Sequence, residues 1–109
     1  MHLQNIPFQV VDWAHLVPSL HLGDAGQAAW RTFEAGEVRA RIVEYSPGYI
    51  ADHWCERGHV VFVIEGELIT ELRDGRRFTL GPGQGYVASS GEPAHRSLSP
   101  GGARLFIVD

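Results

Sequence analysis

The sequence predicts an all-β fold, an antiparallel sandwich or barrel. Three observations carry that expectation. Short β-branched and aromatic segments recur along the chain, and HVVFVIEGELITEL at 59–72 is the strongest of them. Glycine- and proline-bearing breaks separate them, at Ser46-Pro47-Gly48, Asp74-Gly75, Gly81 to Gly85, Gly91 to Pro93 and Pro100 to Gly102. No stretch keeps a 3.6-residue period long enough to bury a helical stripe.

With 109 residues, 44% of them hydrophobic, the chain suits one domain with one core. Residues 1–109 read as a single unit, in which 1–30 form an N-terminal arm with an extra strand and 37–109 form the core. Within the arm, FQVVDW at 8–13 reads as a strand. The following HLVPSLHLGDAGQ carries Pro18, Gly23 and Gly26, which exclude a long helix. His2, His15 and His21 in this region read as surface residues. Trp30 and Phe33 belong to a short strand that turns at Ala35-Gly36.

From Glu37 the pattern is more regular. VRARIVEY at 38–45 places Arg39, Arg41, Val43 and Tyr45 on one face and Val38, Ala40 and Ile42 on the other. The simplest reading of the arginine-bearing face is a solvated one. Turned into a cavity, it would favour an anionic ligand, with Arg41 as the pocket residue. The run 59–64 is apolar on both faces, as in a strand buried on both sides. After a break at Glu65-Gly66 a second strand leads to Asp74-Gly75, a hairpin turn into RRFTL. YVASS, AHRSLS and ARLFIVD complete the strands.

The composition narrows the function classes. A net charge of −4 with scattered basic residues gives no extended basic face for nucleic acid. A single cysteine excludes an intrachain disulfide. No apolar run approaches the ~20 residues that cross a bilayer as a helix. The stretch MHLQNIPFQVVDW lacks the basic head and apolar core of a secretory signal. The expectation is a soluble, cytoplasmic protein with no nucleic-acid or membrane partner.

Chemistry concentrates in 48–66, where His53, Cys55 and His59 lie within seven residues. Imidazole nitrogen and thiolate bind divalent transition metals at roughly 2.0 to 2.3 Å. On an extended backbone residues two apart point to one side, so His53 and Cys55 can aim inward together, and the turn at Glu56 to Gly58 lets His59 return. In the opposite phase Asp52 and Trp54 point inward. Asp52 is then an oxygen ligand or the partner that orients His53. The plainer alternatives are hydrogen-bonded wall histidines and a small buried cysteine. Tyr49 and Tyr86 are candidates for the pocket mouth.

The order of Gly48, His53, Cys55, His59, Gly66, Gly85, Gly91 and His95 resembles the two-motif signature of the cupins. The first motif reads G-x5-H-x-H-x(3,4)-E-x6-G. Counted back from Gly66, His59 stands at its glutamate, Cys55 at its second histidine and His53 at its first, with Gly48 one residue closer than the pattern asks. In the second motif Gly85 and Gly91 stand for glycines and His95 for the histidine, one residue late. Ser89 and Ser99 replace its proline and asparagine. ADHWCERGH, with VEYSPGY before it and AHRS later, is similar to the DHCW-motif cupin proteins, a small subgroup.

The resemblance implies a cupin-type double-stranded β-helix, or jelly-roll, barrel. It also implies a divalent metal held by His53, Cys55, His59 and His95, the last reaching the site from a distant strand. A thiolate in that set favours zinc over magnesium or manganese, while iron, nickel and copper remain compatible. The implied functions are a metal-dependent enzyme on a small molecule, dioxygenase- or isomerase-like, or a non-catalytic cupin that binds or senses a small molecule or metal. A homodimer is expected by analogy with small cupins.

Overall fold

The computed structural model describes residues 2–109. Ten strands follow one another: β1 (Ser19–Leu22), β2 (Gln27–Ala35), β3 (Val38–Tyr45), β4 (Tyr49–Ile50), β5 (His59–Gly66), β6 (Leu68–Leu72), β7 (Arg77–Leu80), β8 (Gly85–Ala88), β9 (His95–Ser99) and β10 (Ala103–Val108). They form a jelly roll of two sheets, six-stranded in the order β1-β2-β3-β10-β5-β8 and four-stranded in the order β4-β9-β6-β7. Every pairing is antiparallel.

The alternation of side chains along each strand fixes which of them meet between the sheets. In β10, Ala103, Leu105 and Ile107 are buried and the residues between them are not. Val61 and Val63 of β5, Val43 of β3 and Leu68 of β6 join them in one cluster, closed at one side by Tyr49 and Ala51. Complete burial of side chains this size stabilises the fold by roughly 1.5–3 kcal/mol each. Asp74-Gly75 makes the β6–β7 turn, with Gly75 at φ 100°. Gly66, which ends β5, has φ 81°, and a Cβ there would lie 2.3 Å from the Gly102 carbonyl oxygen. Only glycine takes that position without strain.

The structure departs from the sequence reading in three places. Residues 8–13 form no strand. The place beside β2 that such a strand would take belongs to β1. The segment instead ends in a 3-10 turn, Trp13–His15, whose Trp13 indole donates to the Ala40 carbonyl at 3.0 Å and packs edge-on against Phe33 and Phe106. Next, β5 is buried on one face only. Val60, Phe62 and Ile64 stay 37–47% exposed because none of the described residues covers the outer side of this sheet there. Finally, the arginine-bearing face of β3 is not solvated. Arg41 is 5% exposed and points between the sheets, because Val43 and Tyr45 on the same face carry it into the interior.

Candidate metal centre

Between the sheets lies a cavity of about 380 Å³. Cys55, His59 and His95 converge on it, with one donor atom from each all within 4.8 Å of one another. Three local devices place them. Cys55 and His95 form an isolated antiparallel bridge, in which the Cys55 N–H donates to the His95 carbonyl at 2.7 Å and the His95 N–H returns to Cys55 at 2.9 Å. Residues paired in this way project their side chains to the same face. His59 opens β5 two residues before Val61 and so shares its inward face. Its partner strand β8 brings Tyr86 opposite Val61, and the Tyr86 hydroxyl lies 3.2 Å from His59 Nε2.

The two imidazoles meet through Nε2 atoms 2.7 Å apart. His59 Nδ1 faces the other way, 3.5 Å from Asp109 Oδ2, too long for a well-formed hydrogen bond. The carboxylate beside Nδ1 favours the tautomer that keeps its proton there, which leaves the Nε2 lone pair for the cluster. A carboxylate behind a ligating histidine is the usual support of a metal-bound imidazole. Burial, reinforced by the neighbouring His95, pushes the His59 pKa down to about 4. Burial also lowers that of His95. Both rings are therefore neutral at neutral pH, the form in which imidazole ligates.

Asp109 is itself held from both sides. It exchanges backbone hydrogen bonds with Arg39 at 2.7 and 2.8 Å, which sets their side chains next to each other. Arg39 clamps the carboxylate through Nε at 2.8 Å and Nη2 at 2.9 Å, and Arg41 Nη2 adds a third bond at 3.2 Å. Arg57 Nε approaches to 3.5 Å. Burial alone would raise the Asp109 pKa, but the Arg39 hydrogen bonds and the charges of Arg41, Arg39 and Arg57 outweigh it and hold the carboxyl below its ordinary value.

The other candidates fall around this centre. His53 lines the cavity at its rim with its side chain 71% exposed, and its Nδ1 is 2.6 Å from Asp52 Oδ1. It does not reach the converging trio. Asp52 is likewise exposed and serves as the partner of His53. Tyr49 and Tyr86 line the cavity, where burial raises both phenol pKa values, that of Tyr49 to about 12. Arg41 lines it as well. Trp54 lies beneath the guanidinium of Arg96, 4.8 Å from ring centroid to charge.

Asp109 is the residue that sequence reading passes over. The available signal was parity, since Asp109 continues the inward series Ala103, Leu105, Ile107. A lone terminal-strand carboxylate becomes conspicuous only once Arg39 and His59 are known to flank it. The Cys55 sulfur with two neutral imidazoles is a donor set that suits a soft or borderline divalent ion such as zinc. The residues present therefore fit a transition metal, with Asp109 completing the support of one ligand.

No family model matches the chain, and no curated protein does. Solved structures do match it. A polyketide cyclase from Streptomyces resistomycificus superposes with a TM-score of 0.76 at 21% identity, over 94% of this chain and 78% of that one. A predicted oxalate decarboxylase from Thermotoga maritima gives a TM-score of 0.75 at 14% identity, over 92% and 96%. A sugar phosphate isomerase from a cupin superfamily, from Silicibacter pomeroyi, gives 0.68 at 18% identity, over 92% and 74%. The chain has the fold of these cupin proteins.

Proposed function

We propose that this cupin-fold chain is a metal-dependent enzyme that acts on a small molecule in the inter-sheet cavity, with isomerase- or lyase-like rather than dioxygenase-like chemistry. The observation that carries this reading is the convergence of Cys55, His59 and His95 on a cavity of about 380 Å³. That volume lies in the ordinary range for small-ligand sites. Zinc is the favoured ion, because the set combines one sulfur with two nitrogens. When bound, such an ion supplies Lewis acidity toward a carbonyl oxygen.

The protein's own groups supply the rest. His59 and His95 hold the donor positions, and Asp109 places a carboxylate 3.5 Å behind His59 Nδ1. The rim pair His53 and Asp52 provides an exposed imidazole whose proton position a carboxylate 2.6 Å away determines, which suits it to carrying a proton to or from a substrate at the mouth. Tyr86 places a neutral hydroxyl beside His59 as a hydrogen-bond donor. A proton carrier at the rim supports proton-shift chemistry over oxygen chemistry. The fold is shared with a protein described as an isomerase and with one described as a cyclase, which is consistent with this choice.

The test is metal analysis followed by turnover. Stoichiometric transition metal that is lost in His95→Ala and Cys55→Ser supports the site. A purified protein that neither contains nor takes up a metal removes it. A second reading is a non-catalytic cupin that holds a small ligand in the same cavity. Tight ligand binding with no conversion by the metal-loaded protein would establish that reading instead.

A further inference from the structure

A buried positive charge in the cavity shares its one counter-ion with two other guanidinium groups. Four arginines, Arg39, Arg41, Arg57 and Arg96, line the cavity against two acids, Glu56 and Asp109. Arg96 and Glu56 turn to partners outside the centre, Glu71 at 2.8 Å and Arg73 at 3.7 Å. That leaves three guanidinium groups around the single carboxylate of Asp109. The chain as a whole carries −4, so the excess of positive charge here is local and opposite to the whole.

Arg41 is the member that this arrangement leaves unsatisfied. Its side chain is 6% exposed, and Asp109 Oδ2 at 3.2 Å is the one acceptor it meets among the described residues. Its Nε is buried with no partner. The guanidinium lies over the ring of Trp30, 4.3 Å from the centroid, which fixes its plane within the cavity wall. A buried charge without a full counter-charge is costly, and an anionic ligand relieves it.

We infer that the cavity takes a small organic acid whose carboxylate is bound by Arg41. This deepens the small-molecule reading above and rests on it. The Nη1 end of the guanidinium is the part left to a ligand, since Nε is sealed and Nη2 bonds Asp109, and the two Nη groups of an arginine match a carboxylate in two parallel hydrogen bonds. Trp30, Tyr45, Tyr49 and Tyr86 line the same space with flat rings, which suits a planar ligand. Phosphate is the less suited oxyanion, since neither a glycine-rich turn nor a helix N-terminus lines the cavity to offer it converging backbone N–H groups. Arg41 and the Cys55, His59, His95 trio open on one cavity and are joined through Asp109, so one small acid can engage both.

The experiment is calorimetric titration of chelator-treated and zinc-loaded protein with benzoate and malonate, their amides and inorganic phosphate. The expected result is binding of the carboxylates about 10- to 100-fold tighter than the amides, the range of a charge-assisted hydrogen-bond pair. Arg41→Met should abolish that preference while zinc stoichiometry stays at the wild-type value. Arg41→Lys, which keeps the charge but not the fork, should retain a weakened preference and serves if the methionine variant does not fold. Equal affinity for acid and amide, tighter binding of phosphate, or an unchanged preference in Arg41→Met would overturn the inference. Carboxylate binding that persists in a protein unable to hold zinc would leave the acid site standing and remove the metal reading, so the two failures are distinguishable.

Discussion

Replacing Asp109 with asparagine tests the centre most directly. The substitution keeps the shape of the side chain and removes its charge. In the wild type the carboxylate is 1% exposed and accepts from Arg39 Nε, Arg39 Nη2 and Arg41 Nη2 at 2.8, 2.9 and 3.2 Å. An asparagine can accept with one oxygen only, and its NH2 group meets a guanidinium donor head-on. Arg41, itself almost fully buried, loses its only acceptor among the described residues. Removing one partner of a buried pair costs about 3–5 kcal/mol. Part of that is recovered here, because Arg39 and Arg57 are partly solvated and can turn toward water. The expected loss is therefore at the lower end, about 3 kcal/mol, measured as a change in urea midpoint at constant m-value. In a domain of this size the melting temperature should fall by at least about 10 °C. Zinc affinity, measured by competition with a chelator below the melting transition, should fall about 10- to 100-fold as the support behind His59 is lost. A loss below about 1 kcal/mol together with unchanged zinc affinity would refute the view of Asp109 as a buried counter-ion and support.

Three further outcomes follow from the same geometry. Metal-free protein should lose stability as pH falls from 6.5 to about 4, since His59 titrates near 6.5 when unfolded but near 4 when folded, so the unfolded chain takes up the proton first; the loss is about 3 kcal/mol. Above that window His59 is neutral in both states and contributes no slope, while Asp109, whose folded pKa is depressed, continues the loss below its ordinary value. His59→Gln should flatten urea midpoints across that window, and an unchanged slope would contradict burial of a neutral imidazole. Zinc at 100 times its Kd should stabilise the wild type by about 2.7 kcal/mol, an effect absent in His95→Ala and retained in His53→Ala, which lies outside the trio. Light scattering should report a homodimer that covers the outer face of Val60, Phe62 and Val87, which are 44, 47 and 80% exposed, and Phe62→Glu should yield a monomer; a wild-type monomer at high concentration would end that expectation.

Much of the fold was legible in the chain. The β-branched and aromatic runs at 38–45, 59–64 and 103–108 and the Gly/Pro breaks between them located strands and turns, because strand propensity and turn chemistry are local properties, whereas the inward faces of β3 and β5 were misread. Gly66 was legible as a break after the β-branched run, and its φ of 81° and close approach to Gly102 give the physical reason for glycine there. The region of the site was legible from the clustering of His53, Cys55 and His59. Its membership came only through the cupin resemblance, which names Cys55, His59 and His95 alongside His53. Cys55 meets His95 only through a bridge forty residues apart in sequence, and His53, two residues away, turns to Asp52 at the rim instead. Which face of β3 is buried also could not be read locally, for an arginine-bearing face is stable in solvent or, with Asp109 opposite, inside. That depended on β10 lying between β3 and β5, which sets one carboxylate between Arg39 and His59. The sequence by itself determined where strands run and where metal-capable side chains gather. Strand order across the sheet decided which of them face one another, because contacts between distant strands are properties of register and not of any single segment.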